Sequence, residues 1–274
     1  MGFLKSFFGG KEESPEEKRK REEARDFDVL KTDGVKALRM GKADMAVKCF
    51  KKALELRDDL ETLDYLSQAL IRNDQLGEAL EKLNILAEAQ PDNINIILMM
   101  IRVNYMMEDY NAMAAMCEKA MLIDKDNAEV MFLYARASRG QGDLVNAVAM
   151  FTKCIMLNPQ FADAYLERGR LLLGMGDVEG AAEDADYLYG LAEGVEDVMK
   201  LKANVLVAKG QQSEALAIYD KMVEHNPFSI EAFKERGALR LAMGDKAGAE
   251  EDMKQLLELD PNALDSISGQ FGNN

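Results

Sequence analysis

Three arginines, Arg102, Arg136 and Arg170, stand 34 residues apart in a chain whose formal net charge is −15. Arginine offers five N–H donors in a planar fork and stacks on aromatic faces. Such a series suits a ligand that carries carboxylates or carbonyls and a few apolar anchors. Other chemistry finds fewer parts. There is one histidine, His225, so no Ser/His/Asp or Cys/His set can be assembled around an independent base. It stands two residues before Pro227, at the end of a helical stretch, where it can meet the last carbonyls. No phosphate loop, zinc spacing or calcium loop occurs. Carboxylates abound but are scattered, and none reads as a positioned acid/base pair. An enzyme is not expected, and neither is a cofactor or a metal.

The arginines recur because the chain recurs. Ala128 to Pro159 reads as two helices joined by a tight turn, and its key positions return in both directions. Ala147 has equivalents at Ala46, Ala79, Met113, Ala181, Ala215 and Ala249, spaced 33, 34, 34, 34, 34 and 34 apart. A small residue midway along the first helix recurs as Gly34, Ser67, Ala135, Gly169, Ala203 and Gly237, with Ile101 as the exception. Gly142-Asp143 opens the turn and returns as Gly176-Asp177 and Gly244-Asp245. Pro91, Pro159, Pro227 and Pro261 end their units, since proline cannot continue a helix. A fixed period of this length signals a solenoid, in which each unit stacks on its neighbours.

On these positions the chain resembles the tetratricopeptide repeat (TPR) family over about residues 27–261, in seven units. The resemblance implies an all-α, right-handed α-solenoid. It departs from the family pattern at Asp74 and Glu108, which replace the turn glycine. It departs again at Asp58, Lys125 and Glu193, which replace the terminal proline. Ile101 and Met113 replace small residues, so the third helix pair is expected to sit farther apart.

In this family the first helices line a concave groove that holds peptide or protein ligands. By resemblance, the groove here is Tyr65, Gln68, Leu98, Met99, Arg102, Tyr105, Phe132, Leu133, Arg136, Leu166, Arg170, Lys200 and Asn204. The implied ligand has acidic groups and apolar anchors. Ion pairs such as Arg170 with Glu167 are the competing use of these arginines. The groove positions are expected to be exposed, so reversing the charge of Arg136 should change folding by no more than about 0.5 kcal/mol. The family's carboxylate-clamp subtype is rejected. Lys200 and Asn204 have its first spacing, but Glu235 stands where the next asparagine belongs.

The acidic balance argues against general nucleic-acid binding, which needs clustered Lys and Arg. Cys49, Cys117 and Cys154 fall at core-facing phases of second helices and read as buried thiols. No apolar run approaches the ~20 residues of a transmembrane helix. No secretory segment is evident either, and a cytoplasmic protein is expected. The expected function is a non-catalytic scaffold or adaptor.

Residues 1–13 read as a flexible apolar tail, with Phe3, Leu4, Phe7 and Phe8 on one helical face. The alternative function is an adaptor recruited to a membrane surface by this segment, which also matches a short myristoylation pattern. Residues 14–26 read as a charged leader helix opened by a Ser14/Glu17 capping box. Residues 262–274 read as a short cap and disordered tail. Seven of the 18 methionines lie between Met99 and Met121, and read as a loosely specified core. Eight acidic residues and no basic one lie between Asp177 and Met199, and read as an external patch that favours solubility.

Overall fold

The structure, a computed structural model, describes residues 14–263. The expectations for the apolar tail and for the chain after Ala263 lie outside the described residues. Among the described residues there are fourteen helices and no strand. They form seven antiparallel pairs: α1 (Pro15–Arg39) with α2 (Ala43–Leu56), α3 (Leu60–Arg72) with α4 (Leu76–Ala89), and α5 (Ile94–Met106) with α6 (Tyr110–Ile123). Then come α7 (Ala128–Gly140) with α8 (Leu144–Leu157), α9 (Ala162–Gly174) with α10 (Val178–Leu191), α11 (Glu196–Ala208) with α12 (Gln212–His225), and α13 (Ile230–Ala242) with α14 (Lys246–Leu259). Packing divides the chain into two bodies between Lys125 and Asp126. The first therefore holds three helix pairs and the second holds four. None of these helices is long and apolar enough to cross a membrane.

The charged leader is continuous with the first repeat helix, and both belong to α1. The Ser14 hydroxyl accepts from the Glu17 N–H, and the Glu17 carboxylate accepts from the Ser14 N–H, which satisfies two orphan donors at the start.

Seven turns obey one rule. The second residue after the first helix adopts a left-handed backbone at Gly41, Asp74, Glu108, Gly142, Gly176, Gly210 and Gly244. In four of these turns the next residue is an aspartate whose carboxylate caps the second helix: Asp109, Asp143, Asp177 and Asp245. Glycine takes this conformation freely, while a side chain there costs about 1–2 kcal/mol. Glu108 has φ 57°. Replacing it with glycine should raise stability by about 0.5–1 kcal/mol, after allowing for the looser unfolded chain. Chemical denaturation would show it as a higher midpoint. An unchanged or lower midpoint would contradict the turn argument.

Between the helices, small residues permit close crossing. A Cβ built on Gly34 would lie 2.5 Å from the Phe50 ring, and one on Gly169 would lie 2.9 Å from Leu201. Ala46, Ala79, Ala147, Ala181 and Ala215 are fully buried. Ile101 and Met113, the oversized members, are fully buried as well. The methionine-rich stretch divides between core and surface: Met100 and Met113 are buried, while Met106 and Met107 are exposed.

Candidate functional site

In the first body, the open face of the first helices is built on α3 and α5. The ring of Tyr65 stacks on buried Phe50, with centroids 5.7 Å apart, and its hydroxyl donates to Glu61. Gln68 donates to Asp64 at 2.8 Å, and burial pushes the Asp64 carboxyl up. Lys31 of α1 reaches Asp59 at 2.9 Å and Glu61 at 2.6 Å, ahead of and inside the first turn of α3. The Thr62 hydroxyl, with Lys31 and the Thr62 N–H, holds the Asp59 carboxyl down at about 2. On α5, Leu98 is buried and Met99 half-buried, so they form the floor, while Arg102 is exposed. Tyr105 is half-buried and meets Tyr110 edge-on at 6.4 Å.

In the second body, Phe132 lies between Phe151 at 5.6 Å and Phe161 at 4.9 Å, and is buried with Leu133. Arg136 departs from the expected exposure. It is half-buried, with its guanidinium carbon 5.7 Å from the Phe132 centroid. Reversing its charge is therefore expected to destabilise the fold, contrary to the near-neutral change expected of an exposed position. Leu166 is half-buried against the cluster of Ala182, Leu188 and Leu201. Arg170 is exposed and pairs with Asp197 of the next first helix, whereas Glu167 is taken by Arg139. Lys200 pairs with Glu231. Asn204 accepts from the Tyr219 hydroxyl at 2.7 Å.

These pairs share one geometry. A cation on one first helix meets a carboxylate on the next, in the first turn for Arg170–Asp197 and Lys200–Glu231 and at mid-helix for Arg139–Glu167. They line up along a face that neighbouring first helices share. The Arg170–Asp197 pair is exposed, and such a pair contributes only about 0–1 kcal/mol, so a ligand can exchange for Asp197.

A second series went unread in the sequence. Arg168, Lys202 and Arg236 also stand 34 residues apart, but inside the stack. Arg168 donates to Asp184 at 2.6 and 2.9 Å and to Thr152 at 2.9 Å. Lys202 pairs with Asp186. Arg236 donates to Asp252 at 2.6 Å and to Asp220 at 2.8 Å, and Arg240 joins at Asp252, 2.9 Å away. Each cation lies 16 residues after its partner on the preceding second helix, at Thr152, Asp186 and Asp220. Asp184 and Asp252 are 1% exposed. Burial pushes the Asp184 carboxyl up, and Arg168 pulls it partly back.

The acidic run is likewise mostly occupied. Asp177 caps α10, Glu179 pairs with Lys209, and Glu193 pairs with Lys221. Glu196 accepts from Ser229 and Asn226. With Asp184, Asp186 and Asp197, seven of the eight carboxylates have internal partners, and six of the eight stay exposed, so the run is an external acidic face that also fastens units together.

Cys117 and Cys154 are buried, Cys49 is half-buried, and all three are free thiols. Burial pushes Cys117 up to about 12 and Cys154 up to about 11. The nucleophilic thiolate is then scarce at neutral pH. A maleimide titration under native conditions should label Cys49 first and leave the other two unlabelled until the chain unfolds. Rapid native labelling of Cys117 would contradict the packing. The ring nitrogen Nδ1 of His225 lies 2.8 Å from the Lys221 carbonyl, in the last turn of α12. Among the described residues, no group of three or more His, Cys, Asp or Glu side chains is placed to hold a metal ion.

Comparison with known proteins bears on the same geometry. The family model described as tetratricopeptide repeat matches residues 37–60, 128–161 and 235–263. The middle match coincides with the α7–α8 pair. No curated protein matches the sequence. A tetratricopeptide repeat protein from Parabacteroides merdae has a similar structure, with a TM-score of 0.69 at 16% identity. The alignment covers 86% of this chain and 94% of that one. PilW, a type IV pilus biogenesis factor, gives 0.65 at 17% identity over 74% of this chain and 94% of its own. YrrB, whose structure is described as having an unusual peptide-binding site, gives 0.56 at 15% identity over 69% and 97%. These likenesses show a shared fold. Three segments of the chain thus match the tetratricopeptide repeat model, and its helix pairs have the fold of solved tetratricopeptide repeat proteins.

Proposed function

We propose that this chain is a non-catalytic scaffold or adaptor that binds a protein or peptide on the open face of its first helices. The observation that carries the reading is the chemistry of that face. In the first body it has exposed Arg102 with half-buried Met99 and Tyr105, and in the second half-buried Leu166 with exposed Arg170, whose partner Asp197 is itself exposed and exchangeable. A ligand carboxylate can take the place of Asp197 on Arg170, while apolar side chains rest on the floor beside it. Tetratricopeptide repeats generally serve as interaction scaffolds, and the structurally similar YrrB is described with a peptide-binding site.

The test is a pull-down from native extract with wild type, Arg102→Glu and Arg170→Glu. Each reversal should remove most of the captured partner, because losing a desolvated charge contact costs about 2–5 kcal/mol in binding. Capture should also weaken with added salt, since charges are screened over a Debye length of about 8 Å at physiological ionic strength. Lys254→Glu, on exposed α14 surface, serves as the control. If both reversals bind like wild type and the control does not, the site assignment is wrong.

A further inference from the structure

In four units one side chain of the second helix is hidden beneath the next first helix. Leu66 and Leu70 cover Phe50, Ile96 and Met100 with Val103 cover Leu83, and Val198, Leu201 and Val205 cover Ala185. Ala232 and Leu239 cover Tyr219. These four hidden residues are 0–1% exposed. The equivalent in the last unit, Met253, is 37% exposed. Beside it α13 and α14 border a cleft of about 600 Å³, floored by Phe233 and Leu256 and edged by Leu241, Lys234 and Glu250.

We propose that this cleft docks an amphipathic helix of a partner protein. The helix would have apolar residues at i, i+3 or i+4, and i+7, and a carboxylate in its first turn. The apolar spacing follows from the helices that cover the same position elsewhere, since the cleft continues their interfaces. The carboxylate follows from charge. Lys31 meets Glu61, and Lys200 meets Glu231, each in the first turn of the covering helix. Lys234 stands 34 residues after Lys200, at the edge of the cleft. The chain's own residues 264–274 repeat part of this signature in Asp265 and Ile267. They also carry Gly269 and Gly272, each of which costs a helix about 1 kcal/mol, so a partner segment free of glycine fits the cleft better. The cleft shares helix α13 with the row of first helices, where Lys234 stands one period after Lys200.

A fluorescent peptide of residues 60–72 supplies a probe, because it holds Glu61, Leu63, Leu66 and Leu70. Anisotropy titration into the full chain should show saturable binding. Met253→Glu should weaken it at least tenfold, and Lys234→Glu severalfold. A peptide carrying Glu61→Lys should bind the Lys234→Glu chain better than it binds wild type. Three results would overturn the proposal. One is binding unaffected by Met253→Glu. The second is binding seen only with Ile267→Glu, which would mean that the chain's own segment fills the cleft. The third is a full chain that is dimeric in sedimentation and becomes monomeric with Met253→Glu, which would make a second copy the occupant.

Discussion

Asp252→Ala is expected to destabilise the protein by about 3–5 kcal/mol, although it removes only a few atoms. Asp252 is 1% exposed and accepts from both Arg236 and Arg240. Its removal leaves two poorly solvated guanidinium groups with Asp220, a half-exposed carboxylate, as the remaining acid between them. The cost comes from stranding charge, not from losing a favourable pair. Replacing a buried pair as a whole by apolar residues of similar volume is often neutral. Asp184→Leu with Arg168→Met should accordingly cost far less than Asp184→Ala alone. Since units stack on nearest neighbours, the Asp252→Ala loss should appear as early hydrogen exchange in α13 and α14. A loss below 1 kcal/mol, similar to that of Lys254→Glu, would mean that the network carries no stability.

Gly34→Leu is expected to cost about 3 kcal/mol or more, at the upper end of overpacking effects. A Cβ alone would lie 2.5, 2.7 and 2.9 Å from three atoms of the Phe50 ring. That ring is fully buried and stacked on Tyr65, so it cannot move aside. The better helix propensity of leucine over glycine returns only about 1 kcal/mol. Phe50→Ala alone should cost about 3–5 kcal/mol through the cavity it leaves. In the double variant the leucine can occupy that cavity, so the two losses should not add. A coupling of about 1–3 kcal/mol is expected from denaturation of the four proteins. Strict additivity would show that Gly34 does not set this crossing.

The turns were legible because each one needs special residues. Left-handed backbone at Gly142 and an aspartate cap at Asp143 leave a mark that returns every 34 residues. The small residues at Gly34 and Gly169 were legible for the same reason, since only they let helices cross so closely. The charge pattern was less so. Arg170 and Arg168 are two residues apart and of one type, yet one faces solvent and the other reaches into the stack. What separates them is helical phase together with a partner on a neighbouring helix. The carboxylates of the acidic run are ordinary surface residues by type. Their partners, such as Lys209 for Glu179 and Lys221 for Glu193, lie about thirty residues away and meet them only once units stack. Arg136 was misjudged on the same ground, because its burial depends on how Phe132 is seated between Phe151 and Phe161.

The central claim is that ligand engages the open face of the first helices, and a hydrogen-exchange footprint of the recovered partner tests it most directly. With partner bound, new protection is predicted at the ends and exposed side of α5, α7, α9 and α11. Slowing is expected at the region of Arg102 in the first body and at that of Arg170 in the second, while the second helices α8, α10 and α12 should exchange as in the free protein. Protection confined to α8, α10 and α12, with α5 and α9 unchanged, would contradict the account.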